Sequence, residues 1–135
     1  MQKTVSRSPE ETRQAGEKLG NTLAPGSVVL LKGDLGAGKT VFAGGIAKAL
    51  GIEGPVKSPT FTILREYEGK YPLRHFDLYR ITDPGELAEI GFESLLDGCV
   101  SVIEWPDVAE EYLPEDAVTV EITRTGDEER EITVS

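Results

Sequence analysis

Eight consecutive residues, Gly33 to Thr40, have the types and the spacing that could hold a chain of phosphate groups. Their sequence, G-D-L-G-A-G-K-T, matches the pattern G-x-x-x-x-G-K-[ST] at every fixed position. Glycines let the backbone curl so that successive N–H groups point at one cluster of oxygen atoms, and Lys39 can reach the β- and γ-phosphates. The Thr40 hydroxyl can bind Mg²⁺, and the helix that begins there adds the positive end of its dipole. The predicted nucleotide-binding residues of this phosphate loop and the position after it are Gly33, Asp34, Leu35, Gly36, Ala37, Gly38, Lys39, Thr40 and Val41.

Two acidic residues are candidates to complete the site. Glu104 follows the apolar run Val100–Ile103, and in phosphate-loop enzymes the strand beside the loop commonly ends in an acidic residue that holds Mg²⁺. Asp77 stands between two apolar residues, where a buried carboxylate needs a partner such as a metal ion or a basic side chain. A solvated carboxylate at Glu104 and a structural ion pair at Asp77 are the alternatives. Two carboxylates on one site favour a cation between them. The predicted metal ligands are Thr40, Asp77 and Glu104.

Three further residues carry weaker signals. Thr60 lies about twenty residues beyond the phosphate loop, where switch segments of such proteins often present a hydroxyl to the metal or the γ-phosphate. A strand threonine can also simply pack. Trp105 is expected to pack or to contact a ligand, so Thr60 and Trp105 are included as candidate nucleotide contacts. His75 could carry a proton or form a hydrogen bond within a hairpin, and we favour the structural role.

Buried strands and a helix are predicted to hold these residues. The run Ser27–Leu31 is apolar without alternation, which is typical of a parallel strand that is covered on both faces. Val100–Ile103 has the same character, and a helix is predicted from about Lys39 to Leu50. Gly44 and Gly45 lie inside that helix, where each glycine costs roughly 1 kcal/mol relative to alanine. We therefore expect both glycines to allow close packing of another backbone.

Antiparallel hairpins are predicted on both sides of these strands. One joins Thr60–Tyr67 to Pro72–Tyr79, and the other joins Ala117–Arg124 to Glu131–Val134. Near the N-terminus, Ser8 is expected to cap a first helix. The fold class is therefore α/β of the P-loop NTPase type, with central parallel strands flanked by helices and antiparallel hairpins that extend the sheet. A chain of 135 residues supports a single domain, 1–135.

The charge balance restricts the partners of this protein. Lys and Arg number 14 and Asp and Glu 24, so the formal net charge is −10. Such a surface repels phosphate backbones, so unaided binding of nucleic acid is disfavoured and a basic protein partner is favoured. No apolar stretch approaches the roughly 20 residues that span a bilayer, and the N-terminus lacks a signal-peptide core. We expect a cytoplasmic protein without membrane association.

Residues that the sequence lacks limit which nucleotide the protein can recognise and which mechanism of hydrolysis it can use. The sequence contains one asparagine, Asn21, and it lies in the predicted first helix, so the guanine-reading motif N-K-x-D is missing. A standard GTPase is therefore nearly excluded. The only glutamines, Gln2 and Gln14, are far from the phosphate loop in sequence, so no counterpart of the water-positioning glutamine of GTPases is evident. Hydrolysis by this chain alone should be slow.

Four motifs, taken in order, resemble those of the TsaE (YjeE) family. They are the phosphate loop, Ser58–Phe61 (S-P-T-F), His75–Arg80 (H-F-D-L-Y-R) and Glu104–Pro106 (E-W-P), and the resemblance covers nearly the whole chain. It implies a small ATPase that assists bacterial synthesis of the threonylcarbamoyl modification of adenosine in tRNA, together with the proteins TsaD and TsaB. On this view the chain binds ATP and Mg²⁺, docks on TsaD and TsaB, and resets them by hydrolysis. The tRNA would be contacted only through these partners.

The resemblance also implies roles for individual residues. It assigns Lys39 and Thr40 to the phosphates and Mg²⁺, and it makes Asp77 and Glu104 the acidic residues that ATP hydrolysis requires. Lys39, Asp77 and Glu104 are thus the predicted catalytic residues. The S-P-T-F motif would be a switch-like segment, and Trp105 would neighbour the nucleotide.

Two other functions are also compatible with the sequence. A small-molecule kinase is one, because arginines of the first hairpin could clamp the phosphate of a second substrate. These arginines are Arg65, Arg74 and Arg80. The other is an ATP-dependent protein-binding switch whose hydrolysis is incidental.

Overall fold

The computed structural model describes residues 2–34, 36–54 and 63–135. Its strands are β1 (Gln2–Ser6), β2 (Val28–Lys32), β3 (Leu64–Tyr67), β4 (Leu73–Asp77), β5 (Val100–Glu104), β6 (Val118–Arg124) and β7 (Arg130–Val134). Its helices are α1 (Pro9–Gly20), α2 (Lys39–Ala49), α3 (Pro84–Glu89), α4 (Phe92–Leu95) and a 3₁₀ helix (Pro106–Tyr112). Within these ranges, no helix has the length and apolar character that crossing a lipid bilayer requires.

The strands of the described ranges form one sheet in the order β1-β7-β6-β2-β5-β4-β3. The four central strands, β6, β2, β5 and β4, are parallel to one another. On one side β3 pairs antiparallel with β4, and on the other β7 pairs antiparallel with β6 and β1 pairs antiparallel with β7. The predicted α/β fold with parallel central strands and antiparallel extensions is therefore confirmed. The carboxyl ends of β2, β4 and β5 meet at the same edge of the sheet.

Alternate residues of β2 contribute to two separate hydrophobic clusters. Val29 and Leu31 pack with residues of α2, whereas Val28 and Leu30 pack with Phe92 and other residues on the opposite face. These four residues of β2 are buried, whereas the fifth, Lys32, is exposed. Apolar and polar side chains do not alternate along residues 28–31 because each face of β2 is covered by its own layer of helices.

Helices α1 and α2 pack closely because glycines remove side chains from the contact. A Cβ atom at Gly45 would overlap the carbonyl oxygen of Arg13, and one at Gly16 would overlap that of Phe42. At Gly44, in contrast, apart from its chain neighbours and the adjoining backbone of α2, no heavy atom of the described residues lies within 4 Å of the position that a Cβ atom would take. The prediction of close backbone packing is thus confirmed for Gly45, whereas at Gly44 no backbone of another element comes that close within the described residues.

Candidate active site

The phosphate loop connects the carboxyl end of β2 to the first turn of α2. Gly36 has a φ of +79° and Gly38 a φ of +107°, both in the left-handed region that residues with a Cβ atom rarely adopt. Gly38 is the N-cap residue of α2, and among the described residues no side chain caps this helix. The first N–H groups of α2 and the positive end of its dipole are therefore available to an anion.

Lys39 lies in the first turn of α2 and is buried although it carries a charge. Its Nζ donates a hydrogen bond of 2.8 Å to the carbonyl oxygen of Gly33 and lies 3.5 Å from the ring centroid of Trp105. Burial lowers the pKa of Lys39, and the neighbouring carboxylates, chiefly Glu104 and Asp77, counteract part of that shift. The ammonium group is thus held by a carbonyl, an aromatic ring and negative charges at the mouth of the loop.

Asp77 and Glu104 are the last residues of neighbouring parallel strands and lie opposite each other in the register of β4 and β5. Glu104 is only 4% exposed, whereas Asp77 is half-buried. Asp77 Oδ1 accepts a hydrogen bond of 3.0 Å from the N–H of Tyr79. Because β5 pairs directly with β2, the strand that ends in Glu104 lies beside the strand that leads into the phosphate loop, as the sequence predicts.

A cavity of about 360 Å³ brings most of the predicted site residues together. We call it the phosphate-loop cavity. Its lining residues are Gly36, Gly38, Lys39, Thr40, Val41, Asp77, Glu104, Trp105 and Arg130. Ala37 is a buried residue of the loop, and together with Gly33 and Asp34 it lines a separate depression on the side of β6. Leu35 and Thr60, together with the rest of Ser58–Phe61, lie outside the described residues.

His75 holds the carboxylate of Glu104 in a way that the sequence did not indicate. Its Nε2 lies 2.6 Å from Glu104 Oε2, and both side chains are buried. The predicted structural role placed the partner of His75 within its own hairpin, but the partner is on β5. Within the described ranges, His75 Nδ1 has no hydrogen-bond partner. His75 and Asp77 are two residues apart on β4, so they share one face of the strand, as the alternation of side chains along a strand predicts.

Trp105 adopts a strained conformation beside the cavity. Its φ of +56° is the only positive value at a non-glycine residue in the described part of the chain. The ring contacts the ammonium of Lys39 on one side, and its centroid lies 4.9 Å from that of Tyr79. Left-handed backbone at a bulky residue is unfavourable and is maintained only where surrounding contacts require it. Here the turn places the indole over the mouth of the phosphate loop.

Arg130 is the residue of this cavity that the sequence analysis missed. It begins β7, far from the phosphate loop in sequence, and no motif marked it. The arginines that were proposed to clamp a second phosphate do not line the cavity. Arg74, for example, binds Glu66 and the carbonyl oxygen of Leu95. Only the folded sheet order, in which β7 lies next to β6, brings Arg130 to the loop.

A glycine-containing loop between a buried parallel strand and a helix, with acidic residues at the ends of neighbouring strands, defines a P-loop protein. The solved structure described as "Crystal structure of Bacillus subtilus YdiB" has this fold, with a TM-score of 0.82 and 40% sequence identity. The match covers 98% of this chain and 83% of that chain. The family described as "Threonylcarbamoyl adenosine biosynthesis protein TsaE" matches residues 6–132, and the chain belongs to this TsaE family.

Two relatives support the same assignment. The tRNA threonylcarbamoyladenosine biosynthesis protein TsaE of Bacillus subtilis (strain 168) is 45% identical over 128 residues, which are 93% of this chain and 80% of the relative. The protein of the same name from Treponema pallidum (strain Nichols) is 43% identical over 132 residues, covering 97% of this chain and 98% of the relative. The chain is thus a member of a family that acts in threonylcarbamoyladenosine biosynthesis.

Proposed function

We propose that this protein binds ATP with Mg²⁺ in the phosphate-loop cavity and hydrolyses the ATP to ADP and phosphate. We further propose that hydrolysis resets or regulates a complex of TsaD and TsaB during threonylcarbamoyladenosine modification of tRNA. The observation that carries the proposal is the convergence of Lys39, Asp77 and Glu104 on one cavity at the N-terminus of α2. The TsaE family supports the pathway, and the geometry supports the chemistry.

The phosphate loop has the features that a triphosphate requires. Gly36 and Gly38 have left-handed backbone conformations that allow N–H groups to turn inward, and α2 begins at Lys39 without a side-chain cap among the described residues. The ammonium of Lys39 is held by one neutral carbonyl and an aromatic face rather than by a direct salt bridge within the described ranges. A phosphate oxygen is a stronger acceptor for this group than the Gly33 carbonyl. Lys39 is therefore suited to bind the β- and γ-phosphates.

The oxygen atoms around the cavity fit Mg²⁺. Thr40 provides a hydroxyl, and Asp77 and Glu104 provide carboxylates, which are the hard ligands that this ion prefers, with water completing its shell. Among the described residues, no group of three His, Cys, Asp or Glu side chains forms a metal site by itself. Mg²⁺ bound there would neutralise charge on the transferring phosphate. His75 holds the Glu104 carboxylate in one orientation, which prepares it for that task.

The negative charge of the chain is consistent with partners, and not this protein, binding the tRNA. A net charge of −10 disfavours direct contact with tRNA, so binding of the tRNA falls to the partners. TsaD and TsaB are assigned as partners through the family. The kinase alternative is weakened, because Arg74 is held by Glu66 and Leu95 and does not line the phosphate-loop cavity.

Replacing Lys39 with alanine tests the proposal. The substitution removes charged hydrogen bonds worth roughly 1.5–3 kcal/mol, so we expect ATP affinity to fall by about one to two decades. In a reaction with TsaD, TsaB and tRNA, product formation should then stop after the first rounds. The measurements are ATP binding by calorimetry and product formed per TsaD over time. Lys48→Ala is the matched control, because Lys48 lies on the same helix in an exposed salt bridge with Glu17.

Two outcomes would contradict parts of the proposal. If the Lys39→Ala protein sustains many turnovers as the wild type does, the role in resetting the complex is wrong. If a nonhydrolysable ATP analogue supports full multiple-turnover activity, hydrolysis is incidental and the protein is an ATP-dependent switch. Phosphate transferred to a small molecule, in place of free phosphate, would favour a kinase.

A further inference from the structure

One guanidinium group joins the phosphate loop to the turn between β6 and β7. Arg130 Nε donates a hydrogen bond of 2.8 Å to the carbonyl oxygen of Ala37, a residue 93 positions earlier in the chain. Its Nη1 donates to three carbonyl oxygens of the turn, those of Gly126 at 3.2 Å, Asp127 at 3.4 Å and Glu129 at 3.0 Å. The side chain therefore holds the loop and the turn at a set distance from each other.

The bond to Ala37 determines the direction of a neighbouring donor. The carbonyl of Ala37 and the N–H of Gly38 belong to the same peptide unit, and the described residues contain no cis peptide bond. In a trans peptide the C=O and N–H groups point in opposite directions. When Arg130 holds the carbonyl on its own side, the Gly38 N–H must point to the other side. Without that hold, the glycine at position 38 would allow this peptide to rotate, because glycine has few backbone restrictions.

The charge of Arg130 is not neutralised by a salt bridge within residues 2–34, 36–54 and 63–135, and the residue lines the phosphate-loop cavity together with Lys39. The neighbouring Arg124 differs in this respect. Its Nη2 lies 3.6 Å from Asp127 Oδ1 and its Nε donates to the Gly126 carbonyl, and it has no hydrogen bond to the phosphate loop in the described part of the chain. Both arginines therefore bind the same turn, and of the two only Arg130 is hydrogen-bonded to the phosphate loop within the described residues.

We propose that Arg130 is a positioning residue of the phosphate loop. It holds the peptide between Ala37 and Gly38 in the orientation that presents the Gly38 N–H to a phosphate group, and it keeps a positive charge beside the cavity. An ordered loop loses less conformational entropy when an anion binds, so affinity for the phosphate chain rises. The inference rests on the proposed function only in naming the bound anion as the phosphates of a nucleotide.

Two substitutions of Arg130 test this role, because they separate the effect of the forked guanidinium group from the effect of its positive charge. Arg130→Gln removes the charge and the fork, whereas Arg130→Lys keeps a charge but cannot bond to the loop and the turn at once. We expect both variants to bind ADP about tenfold more weakly than the wild type, since a charge-assisted hydrogen bond and loop order are both lost. Arg124→Gln, the matched control, should bind ADP as the wild type does. Fluorescence of Trp105, the only tryptophan, and calorimetry report the binding.

A second measurement needs no nucleotide. Amide hydrogen exchange of Gly38 and Lys39, followed by NMR in the ligand-free protein, should be faster in Arg130→Gln than in Arg124→Gln, with equal melting temperatures confirming the fold. The proposal is overturned if Arg130→Lys binds ADP as tightly as the wild type, or if exchange at these amides is unchanged in Arg130→Gln. If the wild type binds neither ADP nor ATP, the proposed function fails, and the exchange measurement still decides whether Arg130 orders the loop.

Discussion

Replacing Glu104 with glutamine is expected to lower the rate of ATP hydrolysis at saturating ATP by roughly a hundredfold, the usual scale for the loss of one acid–base or charge-stabilising group. ATP affinity should change by only a few fold, because Lys39 and the N-terminus of α2 are left intact. Glutamine matches glutamate in size and can still form a hydrogen bond with His75, so the buried site should remain packed. The substitution therefore removes mainly the negative charge that the proposal assigns to the metal and the reaction.

The measurement for Glu104→Gln is steady-state phosphate release alongside ATP binding by calorimetry. Glu110→Gln is a suitable control, since Glu110 is exposed on the 3₁₀ helix and does not line the phosphate-loop cavity. A Glu104→Gln protein that hydrolyses ATP at the wild-type rate would show that Glu104 is only a structural partner of His75. A protein that loses affinity and rate together would instead place Glu104 in nucleotide binding.

Replacing Gly45 with alanine is expected to lower the free energy of unfolding by about 3 kcal/mol, the upper part of the usual range for overpacking a tight contact. The added methyl group would overlap the carbonyl oxygen of Arg13 and would approach the N–H of Glu17, and both are backbone groups of α1. A backbone cannot move aside as a flexible side chain can. The two helices would have to separate, and the packing of Gly16 against α2 would be lost with them.

Gly44→Ala is the matched control for this prediction, because it makes the same chemical change one residue earlier in the same helix. Apart from the chain neighbours of Gly44 and the adjoining backbone of α2, no heavy atom of the described residues lies within 4 Å of the new methyl group, so we expect helix propensity to dominate. We expect a gain of about 0.5–1 kcal/mol in the free energy of unfolding. Urea denaturation of both variants measures the difference. If Gly45→Ala is as stable as Gly44→Ala, the close approach of α1 and α2 is not needed for stability.

Local signals in the sequence were enough to predict the central elements of the fold and the phosphate loop. The fixed spacing of the loop predicts a strand before it and a helix after it, and these are β2 and α2. Ser8 caps α1 by accepting a hydrogen bond from the N–H of Glu11, as its position before Pro9 predicts. Such signals are readable because periodicity, capping and turn chemistry depend on residues only a few positions apart.

The tertiary structure alone decided which distant residues meet. The register of β4 and β5 sets Asp77 opposite Glu104 and directs His75 to the Glu104 carboxylate. This register cannot be read from the spacing of the residues along the chain. Arg130 reaches Ala37 only because β7 lies beside β6 and β6 beside β2. Strand order and register follow from how all the apolar faces of the sheet and helices are buried together, which is a property of the whole chain. For that reason the sequence identified the phosphate loop and its acidic residues, while the folded sheet determined what holds them in place.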